Sequence, residues 1–198
     1  SGLVLVLFLT TTFPTYSSSG FENPLSHLFV CLFSIVILRY GVSASPFVAA
    51  LLASLGMVTR LDTGLFYIPA LVAICFSQRR CLPLVLLGLL PLFAWEIFSL
   101  FYYGALIPNT ALAKIPGGVS RLVIVRQGCA YLADLLSRDP IAALILAIPV
   151  FYFLTIACRT ESDGDGVWWH SRYSLLNLGI VAYCCYVVSI GGDYLSYR

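Results

Sequence analysis

Four short polar segments interrupt an otherwise apolar chain, and they hold the residues best suited to chemistry: 19–24, 59–62, 101–114 and 191–194. The third segment contains two adjacent tyrosines, a Pro-Asn-Thr turn and Lys114, the only lysine in the sequence. A lysine near lipid headgroups either extends its stem to reach water or supplies a point charge for a phosphate. In the fourth segment, two glycines beside Asp193 would let the backbone approach a ligand closely, although an ordinary loop turn has the same composition.

Six ionisable side chains lie at or near the same ends of the apolar runs: Glu22, Arg60, Asp62, Glu96, Lys114 and Asp193. A charge at membrane depth is costly and usually faces a protein interior or a wet cavity. Six such side chains are more than the helices need as anchors at the membrane surface. We therefore predict one shared polar site. Arg60 and Asp62 have a simpler alternative, because two opposite charges can neutralise each other across a tight turn.

Membrane helices are the elements expected to position these residues. Of the 198 residues, 60% are hydrophobic and 10% are charged, a composition that excludes an ordinary water-soluble domain. A helical span needs about 20 mostly apolar residues, and the chain offers several such runs. We predict an all-α fold, a polytopic transmembrane helix bundle of about six to seven membrane segments, some short, with an outer interfacial helix.

The arginines between the apolar runs predict the orientation of the bundle. If 46–77 forms two short helices that meet at Arg60 and Asp62, these arginines share one side of the membrane: Arg39, Arg79, Arg80, Arg159 and Arg172. The positive-inside rule makes that side cytoplasmic, so the four polar segments share the extracytoplasmic side. A single crossing over 46–77 would break this pattern, and we therefore predict a helical hairpin there.

The remaining organisation follows from the same runs. Residues 1–198 are predicted to form a single transmembrane bundle, and the apolar runs cut at both ends indicate a fragment of a longer protein. Residues 104–139 are predicted to be an extracytoplasmic loop with an amphipathic helix that either lies in the membrane interface or packs on the bundle. Its apolar residues recur on one face: Leu122, Val125, Cys129, Leu132 and Leu136. Residues 159–172 are predicted to be a cytoplasmic loop.

Signatures of cofactors and of nucleic-acid binding are missing from the sequence. The seven cysteines and two histidines show no metal-ligand spacing. No phosphate loop, dinucleotide fingerprint or Ser/His/Asp arrangement is visible, and no block of basic residues suggests nucleic acid. We predict no metal site, no cofactor and no nucleic-acid partner, with metal dependence left open.

Taken in order, the polar segments read SGFENPL (19–25), TRLDTG (59–64), YYG with PNT and AK (102–114), and GGDY (191–194). They resemble the SGxE-T-P-L, RPEG/RPDG, YYG-x-x-x-PNT-x-x-AK and GGDF/Y-M segments of polytopic glycosyltransferases with the GT-C fold. The resemblance extends to bacterial terminal arabinofuranosyltransferases of cell-wall arabinan. Two positions depart from it, since Asn23 replaces a threonine and Leu61 replaces a proline.

The resemblance implies a membrane enzyme that transfers a sugar from a polyprenyl-phosphate donor to a glycan or lipid acceptor of the cell envelope. The reaction would take place at the extracytoplasmic face of a bacterial inner membrane. The family's catalytic base is an aspartate in the first outer loop of the full protein, which lies outside this chain, so no catalytic residue is assigned here. The expected substrate-binding residues are Glu22, Arg60, Asp62, Tyr102, Tyr103, Asn109, Lys114 and Asp193.

These residues divide by role under the same resemblance. Lys114 and Arg60 would serve the donor phosphate, because a leaving phosphate needs cationic stabilisation. Glu22 and Asp193 would bind sugar hydroxyls, and Tyr102 or Tyr103 would stack on the sugar or on the lipid.

Two other functional classes remain open at the level of sequence. A carrier or flippase for lipid-linked sugars would need polar residues that reach both faces of the membrane, whereas here they cluster on one. A non-catalytic membrane subunit would need no site at all.

Overall fold

The computed structural model describes residues 23–78, 80–105, 120–163 and 172–192, and the structural statements below concern those ranges. Within them the chain forms eight α-helices and two short 3-10 turns, at Gly41–Ser43 and Leu61–Thr63, and no strand. The helices are α1 (Asn23–Tyr40), α2 (Pro46–Thr59), α3 (Gly64–Ser77), α4 (Leu82–Gly88), α5 (Leu90–Tyr103), α6 (Arg121–Arg138), α7 (Pro140–Asp163) and α8 (Arg172–Ser189). The predicted all-α class is confirmed for this part of the chain.

Candidate membrane spans are fewer than the sequence suggested. Among the described residues, the segment Asn23–Ser43 is long and apolar enough to cross a membrane by itself. Helices α4 and α5 meet that criterion only as a pair. The segments Pro46–Thr59 and Leu61–Ser77 are apolar but shorter than a full crossing. One or two helices are therefore span candidates by length and composition, and the polytopic bundle stays a prediction.

The chain bends by 53° between α4 and α5, so the apolar run over 82–101 forms either a broken span or a re-entrant loop. Pro91 lies in the first turn of α5. Its ring has no N–H to donate to the carbonyl four residues earlier and would clash with that carbonyl, so α4 cannot continue straight through it. The hydroxyl of Ser54 on α2 accepts a hydrogen bond of 2.9 Å from the backbone N–H of Leu92 and so satisfies part of the new helix start.

The predicted hairpin is present. Helices α2 and α3 are each 14 residues long and run antiparallel, joined by the turn Leu61–Thr63. The close approach of the two helices is visible where Gly56 on α2 contacts the Tyr67 side chain on α3. Tyr67 is fully buried and packs edge-to-face with Phe33 and Phe66, with ring centroids 4.8 and 5.4 Å away. This aromatic cluster joins α1 to the hairpin.

The bundle end opposite the Leu61–Thr63 turn is closed by polar side chains that bind backbone carbonyls. Gln78 donates to the carbonyl oxygens of Val42 and Ala44 at 2.9 and 3.0 Å. Arg172, at the start of α8, donates to the carbonyl oxygens of Leu38 and Arg39 at 3.0 and 2.9 Å. Arg39 and Arg172 therefore share one end of the bundle, as the charge pattern predicted.

Replacing Arg172 with alanine is expected to destabilise the protein by about 1 kcal/mol, because charged hydrogen bonds to two helix-terminal carbonyls are lost at an exposed site. The measurement is the thermal unfolding midpoint in detergent micelles. Arg80→Ala is the matched control, since Arg80 is also exposed and lies in the α3–α4 connection. An equal shift in both variants would contradict the capping role of Arg172.

Helices α6 and α7 also pack on α8. Gly128 of α6 lies directly against the backbone carbonyl of Val188, which brings the two helices into close contact. The predicted apolar stripe of this helix is not its packing face, because Leu122, Val125 and Cys129 are exposed. Helix α7 continues to Asp163, so residues 159–163, which were predicted to belong to a loop, are helical.

Candidate functional site

The turn between α2 and α3 is held by its own backbone and hydroxyl groups. The backbone N–H of Arg60 donates to the carbonyl of Gly56 at 3.0 Å, and Arg60 then leaves the helix in an extended conformation (φ −149°, ψ 110°). The hydroxyls of Thr59 and Thr63 donate to the carbonyls of Gly56 and Arg60, each at 2.7 Å. The side chains that project from this turn therefore start from fixed backbone positions.

Arg60 and Asp62 form a two-pronged ion pair. The Nε of Arg60 donates to Oδ1 of Asp62 at 3.2 Å, and Nη2 donates to Oδ2 at 2.8 Å. Both side chains are largely covered, with 25% and 19% of their surface exposed. The simpler alternative for these two residues, mutual neutralisation across a tight turn, is thus present in the structure. A guanidinium that already binds a carboxylate in this way mainly fixes the carboxylate's orientation.

The start of α1 joins the same cluster. The Nη1 of Arg60 donates to Oδ1 of Asn23 at 3.1 Å, and Asn23 is buried. The hydroxyls of Ser26 and Thr59 are 3.0 Å apart, which adds a second polar link between α1 and the turn. The sequence predicted Asn23 only as a helix cap, although its place in a polar segment was a signal that its side chain has another partner.

Helix α8 contributes a residue that the sequence did not single out. The hydroxyl of Tyr183 lies 3.4 Å from Oδ2 of Asp62, from a position 121 residues further along the chain. Tyr186, one turn later, is close enough to interact electrostatically with Asp62 and Arg60. We refer to Asn23, Arg60, Asp62 and Tyr183 together as the rim network. It draws its members from α1, the α2–α3 turn and α8.

Tyr102 and Tyr103 end α5 and are exposed, at 71% and 63% of their surface. Their rings are 4.7 Å apart, and both pack on Phe98. The described contacts of the two rings are with each other and with Phe98. Their stacking on a sugar or on the lipid stays a prediction.

Four of the predicted binding residues lie outside the described residues: Glu22, Asn109, Lys114 and Asp193. Their place in the site stays a prediction. Gly191 and Gly192 are described, and both adopt the left-handed conformation, with φ of +85° and +83°. They end α8 with hydrogen bonds to the carbonyls of Val188 and Val187 at 3.2 and 2.9 Å.

The two glycines approach α6 closely. A Cβ at Gly192 would lie 2.6 Å from the ring of Tyr131, and one at Gly191 would lie 3.2 Å from Ile124. Gly191 and Gly192 are therefore packed on α6, and the approach of this segment to a ligand stays a prediction.

Comparison with known proteins gives one named relative. Over 102 residues, half of this chain, the sequence is 36% identical to the terminal beta-(1->2)-arabinofuranosyltransferase of Mycobacterium tuberculosis. The chain is similar to a glycosyltransferase. The aligned part covers 15% of that relative's length. No family model and no solved structure matches the chain.

Proposed function

We propose that this chain is part of a membrane glycosyltransferase that uses a polyprenyl-phosphate-linked sugar as donor. The acceptor is a glycan or lipid of the cell envelope, and the reaction takes place at the extracytoplasmic face of a bacterial inner membrane. The observation that carries the proposal is the 36% identity to the mycobacterial arabinofuranosyltransferase over half of the chain. The four polar segments of the sequence resemble motifs of the same family.

The rim network supports a binding role in this reaction. An inverting transfer needs a carboxylate that accepts the proton of the acceptor hydroxyl. Asp62 has both oxygens bound to the Arg60 guanidinium, an arrangement suited to holding a fixed orientation. This agrees with a catalytic base located outside the chain. Asp62 and Arg60 then form a wall of the site, and Lys114 provides the cation for the donor phosphate.

The function is tested with the complete protein that contains this chain, reconstituted in liposomes with a polyprenyl-phosphate-linked pentose. We expect sugar transfer to a glycan acceptor. Movement of the donor across the bilayer without transfer would overturn the proposal in favour of a carrier. Neither transfer nor movement would favour a non-catalytic subunit.

Lys114→Ala is expected to raise the donor KM by about tenfold, because a charged contact to phosphate contributes about 1.5 kcal/mol or more. Initial rates at varied donor concentration measure this effect. Arg121→Ala is the matched control, since it removes one positive charge from the same predicted outer loop. Unchanged KM and kcat in Lys114→Ala would remove the lysine from the donor site.

A further inference from the structure

Helix α8 is fastened to the α2–α3 hairpin at two points that lie one turn apart. At the first, Gly179 lies against the backbone carbonyl of Phe66 on α3, so the two helix backbones approach closely. At the second, the hydroxyl of Tyr183 reaches the carboxylate of Asp62. The first contact is set by shape and fixes the distance between the helices. The second is polar and sets their relative position along the helix axis at the turn.

Beyond Tyr183, α8 continues towards the polar segment that begins at Gly191. The helix ends at Ser189, and the two left-handed glycines follow it, packed on Ile124 and Tyr131 of α6. Gly191 lies 129 residues beyond Asp62 in the chain. The hydroxyl of Tyr183 is one contact between α8 and the turn.

We propose that Tyr183 is a positioning residue, whose phenol holds the Asp62 carboxylate and the C-terminal end of α8 in one fixed arrangement. It thereby links the Thr59–Asp62 turn to α8. That this turn binds the donor rests on the proposed function, whereas the link itself rests on the contacts of α8 with the hairpin.

A phenylalanine at this position would keep the ring packing but lose the contact to Asp62. The 3.4 Å separation is longer than the usual 2.5–3.0 Å or so of an O–H···O bond. Polar contacts in ligand-free sites are often long and tighten when the substrate binds. The hydroxyl is therefore expected to matter for donor binding more than for stability.

The experiment compares Tyr183→Phe with Tyr173→Phe in the complete, reconstituted protein. Tyr173 is the matched control because it lies in the first turn of the same helix and is exposed at 63% of its surface. We expect Tyr183→Phe to raise the donor KM by about fivefold, with a smaller change in kcat and an unchanged unfolding midpoint. Tyr173→Phe should leave all three quantities unchanged.

A double-mutant cycle shows whether the effect acts through Asp62. In an Asp62→Ala background, the further change Tyr183→Phe should have no additional effect on KM, since the side-chain oxygens that accept the Tyr183 hydroxyl are gone. An equal fivefold effect in both backgrounds would overturn the inference, as would a Tyr183→Phe variant with wild-type kinetics.

Hydrogen exchange separates a failure of this inference from a failure of the proposed function. If the wild-type protein transfers no sugar, the proposed function fails, but the arrangement around Tyr183 can still be measured. Tyr183→Phe should then accelerate exchange of the backbone amides of Thr63, Gly191 and Gly192 by about fivefold relative to Tyr173→Phe. Equal exchange in the two variants would overturn the positioning role.

Discussion

Arg60→Ala is expected to reduce sugar transfer by about a hundredfold. The change removes three hydrogen bonds from the rim network and leaves the Asp62 carboxylate largely covered without its cation. Asp62 then loses its fixed orientation, and misplacing a group that contacts the substrate by about 1 Å can lower the rate by about a hundredfold. The change also lowers stability, so rates are compared at equal amounts of folded protein. Initial rates at saturating acceptor measure the effect.

Two further variants separate the geometry of the pair from its charge. Arg60→Lys keeps a positive charge but cannot bind both carboxylate oxygens in a planar fork. We therefore expect its rate of sugar transfer to fall by about tenfold. Arg138→Ala is the control, because Arg138 makes an ion pair of 2.8 Å with Asp134 on an exposed face of α6. Surface pairs contribute about 0–1 kcal/mol, and activity should not change. Wild-type rates in Arg60→Ala at equal protein amounts would exclude the rim network from the site.

Gly179→Val is expected to prevent recovery of folded protein. A Cβ at this position would meet the carbonyl oxygen of Phe66, and the carbonyl carbon and Cα would be only 3.1 Å away. These are backbone atoms of a buried helix and cannot move aside as a flexible side chain can. Overpacking of a core typically costs about 1–3 kcal/mol, and α8 would also lose its contact with Asp62.

The smaller substitution gives a measurable version of the same prediction. Gly179→Ala should lower the stability by about 2 kcal/mol, recorded as the unfolding midpoint and the monodisperse fraction in detergent. Gly64→Ala is the matched control, because its Cβ would meet the sulfur of Met57 at 3.0 Å, and that side chain is flexible. It should be neutral or slightly stabilising, since alanine loses less backbone entropy than glycine. A neutral Gly179→Ala would show that α8 packs on α3 less closely than the structure indicates.

The sequence predicted the features that depend on neighbouring residues. The starts of α1 and α2 follow from Asn23 and Ser45, each of which precedes a proline that favours the first turn of a helix. The pairing of Arg60 with Asp62 was recognised as an alternative because only one residue separates them. The hairpin of α2 and α3 followed from the distribution of arginines, a property of the whole chain that still requires no knowledge of packing.

Features that depend on contacts between distant helices were not predicted. Tyr183 lies in an apolar helix with no motif around it, and its partner is 121 residues away. Only the close approach at Gly179 brings its hydroxyl to Asp62. The apolar residues of α6 were predicted to share a face that either lies in the membrane interface or packs on the bundle, whereas the close contact with α8 is made at Gly128, a residue without a side chain. Periodicity identifies an apolar face but does not identify which face meets a neighbour.

Helix α5 starts at the bend and is attached to α2 at its first turn. Its first turn is tethered where Ser54 binds the backbone of Leu92, and none of its side chains is buried. Tyr103 lies 11 residues beyond Leu92, which at a rise of about 1.5 Å per residue is about 16 Å from that attachment. A rotation of about 5° at Ser54 would move the tyrosine rings by more than about 1 Å. A small movement of α2 would therefore displace the tyrosine rings at the end of α5 by a distance large enough to change a contact with a substrate.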